Sequence, residues 1–185
     1  MKILAVSGSA RRLSTNTALL RALQAIAPDD IAVRVYDGIG DLPVFSPDRE
    51  GDGLPDSVRH FQEAIADCDG LILSSPEYVR SIPGGLKNAI DWLVSGDQVV
   101  GKPIALVHAS HRGDDMLAAL RAVLSTISAN FTDSLFFRLP VMKEASEAIL
   151  QRLVDEPDAA QRFLRDFACF CRDGANERLP QHPIS

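Results

Sequence analysis

Lys2-Ile-Leu-Ala-Val-Ser-Gly-Ser-Ala-Arg-Arg-Leu-Ser-Thr-Asn16 reads in three parts: an apolar run of strand length, a polar turn and the start of a helix. Ile3 to Val6 are all apolar, as in a strand buried on both faces rather than one with a wet side. Gly8 lets the chain leave that strand sharply. The turn then carries Ser9, Arg11, Ser14 and Asn16, with Arg12 adding a second cation. Hydroxyls, a guanidinium and the unpaired N–H groups of a helix start form a phosphate site. The same residues allow a plainer reading, in which Ser14 or Asn16 caps the helix and Arg11 lies in solvent. The glycines of a dinucleotide fingerprint are missing, which points away from a Rossmann-held NAD and toward a mononucleotide.

Outward from this stretch, strands and helices alternate. Leu19, Leu20, Leu23 and Ile26 have helical spacing over 14–27, and Pro28-Asp-Asp30 ends that helix. Strands follow at 31–36, 70–74, 103–109 and 130–138, each rich in β-branched or apolar residues. Helices are expected at 55–68, 84–94 and 114–128, and over 146–171 with an interruption near Pro157. The segment 37–53, with its Gly, Pro and Asp residues, reads as a long surface loop. Five strands alternating with helices make an α/β domain with a parallel sheet covered on both faces. Residues 1–173 form this single domain, and 174–185 a frayed polar tail. Ligands of such sheets bind beyond the carboxyl ends of the strands, so the loops at 8–16, 37–53, 75–83 and 109–115 are the ones that matter.

The bulk numbers exclude several classes. A chain of 185 residues, 46% hydrophobic and 24% charged, suits one domain with a real core. A net charge of -6 argues against general binding to nucleic acid or to an anionic membrane, so any anion is held by a local site. No apolar stretch approaches the roughly 20 residues of a membrane helix. The apolar run Ile3 to Val6 is too short for a secretory signal and lacks a cleavage site. Three cysteines, Cys68, Cys169 and Cys171, are an odd number and fit buried thiols in a reducing cytoplasm.

Three features invite other chemistries and lose on spacing. Gly96-Asp-Gln-Val-Val-Gly-Lys-Pro103 nearly matches a nucleoside-triphosphate loop. It has Pro103 where a hydroxyl must reach magnesium, and it runs into a strand rather than a helix. Asp37 stands where a Rossmann fold keeps its ribose acid, but without the glycines it reads as a turn residue. His108, His111, Asp114 and Asp115 suggest a metal, yet strand alternation puts His108 on the sheet, away from the loop acids. No metal site is assigned.

A second stretch decides more. Ser74-Ser-Pro-Glu-Tyr-Val-Arg-Ser-Ile-Pro-Gly-Gly-Leu-Lys-Asn-Ala-Ile-Asp-Trp-Leu93 puts a stiff loop between a strand and a helix. Together with Gly8-Ser9-x-Arg11-x-x-Ser14-x-Asn16 it resembles the NAD(P)H-dependent FMN reductase family, which includes quinone, chromate and azo-dye reductases. The resemblance runs from Met1 to about Lys102 and, more weakly, to Cys171. It implies a flavodoxin-like fold with five parallel strands in the order 2-1-3-4-5. It implies FMN, its phosphate held by Ser9, Arg11, Ser14 and Asn16 and its ring by Pro76, Glu77 and Tyr78. Trp92, on the helix after that loop, reads as core or interface rather than as a partner stacked on the ring.

Two departures from the family pattern fall at the ring. Where relatives carry Asn after Pro-Glu-Tyr, this chain has Val79, which removes a side-chain donor and leaves backbone contacts to do the work. Arg80 follows, and it meets the nicotinamide cofactor's phosphate, an anionic acceptor or solvent. The loop after the fourth strand lacks the family's Gly-Gly pair and reads Ala109-Ser-His-Arg-Gly-Asp-Asp-Met116. Ser110 supplies flexibility there, and His111 and Arg112 offer donors to the ring's pyrimidine edge, where charge builds on reduction.

The resemblance implies an oxidoreductase that takes a hydride from NADPH or NADH through FMN to a quinone, free flavin or similar small acceptor. Such a cycle asks the protein for placement rather than acid–base chemistry, so no catalytic side chain is assigned. A homodimer or homotetramer is implied as well. Two alternatives stay open on the sequence: a flavodoxin-like electron carrier, and a relative that has lost its flavin.

Overall fold

The computed structural model describes residues 1–11, 13–141 and 144–176. Arg12 and the segment 177–185, most of the expected tail, lie outside the described residues. Five strands build one sheet: β1 (Lys2–Ser7), β2 (Ala32–Tyr36), β3 (Gly70–Ser74), β4 (Ile104–His108) and β5 (Phe131–Arg138). Their order is β2-β1-β3-β4-β5 and every pair is parallel. This is the expected flavodoxin-like order.

Alternation along the strands sorts the core into two layers. Ile3, Ala5, Ile72, Ala105 and Val107 face α1 (Thr15–Ala25), α5 (Ser146–Asp155) and α6 (Asp158–Asn176). Leu4, Val6, Leu71, Leu73, Ile104 and Leu106 face α2 (Asp56–Ala66), α3 (Gly84–Asp91) and α4 (Asp114–Ile127). A strand buried on both sides has no polar alternation to show, which is why β1, β3 and β4 read as continuous apolar runs.

Two segments differ from expectation. The loop 37–53 is not shapeless: it holds three short 3-10 turns, at Ile39–Asp41, Pro47–Arg49 and Gly51–Gly53. It is clamped to α3, where Asn88 Oδ1 accepts from Phe45 N–H at 2.8 Å and Trp92 Nε1 donates to the Pro43 carbonyl at 2.8 Å. Trp92 is thereby a buried core residue of this fold, edge-on to Phe45. At the other end α6 continues past Cys171 to Asn176, and Cys169 is exposed rather than buried. The helix carries its apolar stripe on Phe163, Leu164, Phe167 and Cys171, so Cys169 falls on the wet side.

Candidate functional site

The carboxyl ends of β1, β3 and β4 meet at the switch point of the sheet, where the chain leaves in opposite directions. The β1 end is welded to its neighbour. Gly8 N–H donates to the Ser74 carbonyl at 2.7 Å, and a Cβ on Gly8 would lie 2.8 Å from Leu86 Cδ2 and 2.8 Å from Ser75 Oγ. Only glycine lets the turn approach β3 this closely.

The turn after Gly8 shapes itself with its own hydroxyls. Ser9, 2% exposed, accepts at Oγ from Arg11 N–H (3.2 Å), and its own N–H donates to Ser7 Oγ (3.3 Å). Ser7 Oγ also bonds Thr17 Oγ1 at 2.7 Å. Asn16 is buried and its Oδ1 accepts from Ser74 Oγ at 2.9 Å. Its amide oxygen is thus committed to β3, and its amide N–H groups remain to donate. These buried bonds fix the start of α1 against the ends of β1 and β3.

The plain capping reading holds for Arg11, which lies in solvent, and fails for the cap. Ser14 occupies the N-cap position of α1 with extended φ and ψ of -106° and 129°, but its side chain makes no capping bond. The first turn of α1 has no acidic residue. Its leading N–H groups and the Ser14 hydroxyl are left available, which suits an anion on both dipole and hydrogen-bond grounds. Arg11 is exposed and its side chain has no ion pair or hydrogen bond among the described residues. It lines an open cleft of about 460 Å³ on the β2 side of the turn, shared with Arg21, Asp37 and Asp41.

On the other side of α1 lies a cleft of about 350 Å³ between the ends of β1, β3 and β4. Asn16, Pro76, Glu77 and Ser110 line it, so four of the residues expected from sequence are brought together there. Tyr78, Val79 and His111 are exposed and do not line this cleft. Arg112, next to His111, does.

His108, expected on the sheet and away from the loop acids, is the last residue of β4 and also lines the cleft. It is 1% exposed. Its ring turns to the loop, and Nε2 donates to the Arg112 carbonyl at 2.6 Å. A carbonyl only accepts, so Nε2 carries the proton. Nδ1 is buried without a partner. Burial holds the imidazole below its ordinary pKa, against the Arg112 carbonyl, which favours the charged form. Strand parity alone hid this, because the last residue of a strand bends with the loop that follows.

The two loops flanking the cleft are stitched to α4. Gly113 caps α4 at φ 98°, and a Cβ there would lie 2.8 Å from His108 Nε2. Glu77 Oε2 accepts from Met116 N–H at 3.3 Å, in the first turn of that helix. Arg80 Nε donates to Asp115 Oδ2 at 2.6 Å, and Arg138 Nη2 to Asp114 Oδ1 at 2.5 Å. The positive end of α4 is therefore satisfied by the chain's own carboxylates, whereas that of α1 is left free. Among the described residues no three His, Cys, Asp or Glu side chains are grouped as a metal site.

The residues present fit FMN. A phosphate needs uncommitted donors, and the start of α1, the Ser14 hydroxyl and Arg11 supply them. A flat ring needs a slot with backbone and polar edges, and the cleft beside Pro76, Ser110 and Gly113 supplies one.

Comparison with known proteins identifies the family. A family model described as NADPH-dependent FMN reductase matches residues 1–140. A 2-hydroxy-1,4-benzoquinone reductase from a Burkholderia species is 46% identical over 113 residues, 60% of this chain and 61% of that protein. The quinone reductase of Escherichia coli strain K12 is 37% identical over 116 residues, 61% of each chain. The matches thus span about three fifths of these relatives' length. Among solved structures, the FerB flavoenzyme NAD(P)H:(acceptor) oxidoreductase of Paracoccus denitrificans superposes with a TM-score of 0.72 at 26% identity, covering 94% of this chain and 98% of that one.

Proposed function

Because this chain belongs to the NADPH-dependent FMN reductase family, we propose that it is an FMN-dependent oxidoreductase that uses NADPH or NADH to reduce quinones, free flavin or similar small acceptors. The observation that carries the reading is the contrast between two helix starts at the carboxyl ends of the strands. The α4 start is filled by Glu77, Asp114 and Asp115, while the α1 start has no acid, a free Ser14 hydroxyl and a free Arg11.

In this reading Arg11, Ser14 and the α1 amides bind the FMN phosphate. Ser9 shapes the turn and keeps its hydroxyl hydrogen to donate, and Asn16 is locked by Ser74 so that its amide N–H groups face the ligand. Pro76, Glu77, Tyr78 and Val79 flank the ring from one loop, and Ser110 and His111 from the other. Arg80 faces the substrate. Bound FMN supplies the two-electron relay between nicotinamide and acceptor. The balance is one hydride from NAD(P)H and one proton from water, giving NAD(P)⁺ and the hydroquinone. The chain's own work is to bind, orient and exclude water, and no side chain is asked to move a proton.

The substrate in the name of the Burkholderia relative is a hydroxylated benzoquinone, and quinones are the first class to try. We further propose a homodimer or homotetramer in a reducing cytoplasm, where Cys68, Cys169 and Cys171 stay reduced. No helix among the described residues is long and apolar enough to cross a membrane, and the net charge of -6 does not suit nucleic acid.

The test is an FMN titration of the purified protein, followed by NADPH and NADH oxidation with and without a quinone. Saturable binding and quinone-dependent oxidation are expected. A yellow protein that no pyridine nucleotide bleaches would be an electron carrier instead. A protein that gains nothing from added FMN would defeat both readings.

A further inference from the structure

Among the described residues two besides glycine have positive φ, and they are neighbours: Val79 at 52° and Arg80 at 57°. They are the centre of a tight turn closed by Tyr78 N–H to the Ser81 carbonyl at 3.2 Å and Ser81 N–H to the Tyr78 carbonyl at 3.0 Å. A turn with both central φ positive is type I′, whose easy occupants are Asn and Gly. A β-branched residue there is strained, and Val79 is also 99% exposed. Asn would relieve the strain and remove an apolar side chain from water at one stroke. Strain of this kind persists where it serves a site.

The turn is also held in place. Arg80 Nε is bonded to Asp115 Oδ2 at 2.6 Å, and Glu77, three residues earlier, is bonded to Met116 N–H at 3.3 Å. Both partners lie in the first turn of α4, so the tip stands fixed at the edge of the cleft that Pro76, Glu77 and Arg112 line. Arg80 commits Nε to Asp115; its Nη groups remain to donate, on a side chain 82% exposed.

We propose that the Val79–Arg80 tip selects the acceptor and favours an ionised hydroxyquinone, with the valine methyls against the ring edge and the Arg80 Nη groups on the oxyanion. This rests on the reductase reading above. A hydroxyquinone is a vinylogous carboxylic acid: its hydroxyl is already ionised at neutral pH and the charge is shared with a ring carbonyl. A planar guanidinium fork matches oxygens that share a charge in one plane. An unsubstituted quinone offers the ring without the charge, and an inorganic anion offers the charge without the ring. Asp115 orients the guanidinium, and the tight turn keeps Val79 beside it.

The experiment titrates oxidised holoenzyme, without NADPH, with 2-hydroxy-1,4-naphthoquinone and with 1,4-naphthoquinone, for the wild type, Arg80→Gln and Val79→Asn. The ratio of the two Kd values falls about fivefold or more in Arg80→Gln, and the wild-type ratio shrinks as salt is raised. Val79→Asn weakens both quinones about two- to threefold and raises the urea midpoint, because the strain is gone. Equal losses for both quinones in Arg80→Gln, or a wild-type ratio indifferent to salt, overturn the proposal. So does a change of oligomeric state in Val79→Asn with quinone binding unchanged, which would assign the tip to a second copy. If the wild type binds no FMN, the reductase reading fails. The same two titrations on the apoprotein then decide the tip by the same ratio.

Discussion

The two ends of the cleft are built by opposite means. At the start of α1 the turn is held by buried hydrogen bonds among Ser7, Ser9, Asn16, Thr17 and Ser74, and its ligand-facing donors are left free. At the start of α4 the loops are held by exposed ion pairs, a carboxylate cap and a buried histidine, and almost every charged group already has a partner. The first end is held together by neutral hydroxyl and amide groups, whose bonds neither titrate near neutral pH nor are screened by salt. The second depends on groups that titrate or are screened by salt. In the proposed reading, retention of the cofactor falls to the α1 end, and adjustment of what meets it to the α4 end.

The sharpest way to break this contrast is at the two glycines. Gly8 and Gly113 both leave a Cβ no room, at 2.8 Å from Leu86 Cδ2 and 2.8 Å from His108 Nε2 respectively. Gly113 has in addition a φ of 98°. Gly113→Ala adds backbone strain to overpacking and is expected to lower the unfolding free energy by about 3 kcal/mol. Gly8→Ala meets overpacking alone and costs about 1–3 kcal/mol. Urea unfolding of the two variants compares them. A smaller loss at Gly113 than at Gly8 would mean that the α4 end gives way easily and stores no conformational constraint.

Within the α1 end, holding and binding should separate. Arg11 has no side-chain partner among the described residues, so Arg11→Ala is expected to leave unfolding within about 0.5 kcal/mol of wild type. It should weaken FMN about tenfold or more, as befits a charge-assisted contact. Asn16→Ala does the reverse in part: it leaves the Ser74 hydroxyl without its acceptor and costs about 1–3 kcal/mol of stability. FMN affinity by fluorescence quenching and urea midpoints together check both. An Arg11→Ala protein whose FMN affinity stays within about twofold would remove Arg11 from the phosphate site.

The sequence was most legible where one physical rule acts alone. Continuous apolar runs located β1, β3 and β4 to within a residue, since burial on both faces tolerates nothing else. Gly8 and Ser14 were readable because a sharp exit from a strand and the N-cap position of a helix favour small and polar residues. Less was readable at the α4 end. Glu77 reads as a ring contact, yet its carboxylate reaches across to Met116, a pairing set by how far apart β3 and α4 stand. His108 follows strand parity only up to the point where the chain turns, and its bond to Arg112 lies beyond that point. The positive φ of Val79 and Arg80 was hidden because neither residue favours it; Asn or Gly would have announced the turn.

His108 offers the finest discrimination between the two ends. Burial holds its pKa below the ordinary value near 6.5, so the unfolded chain takes up the proton first as pH falls. The contribution is fully present above about pH 6.5 and is lost progressively below it. Asp114, whose pKa is lowered by the bond from Arg138 and by that residue's charge, loses its contribution only at lower pH, as its own carboxylate protonates. Between about pH 7.5 and pH 5 the decline in stability should therefore come chiefly from His108. His108→Gln keeps an N–H to donate to the Arg112 carbonyl and removes the titration. The wild-type urea midpoint is expected to fall across this window, and the variant's to stay nearly flat. An equal decline in the variant would place the acid-sensitive step elsewhere. A flat wild type would mean that the α4 end is as indifferent to pH as the α1 end.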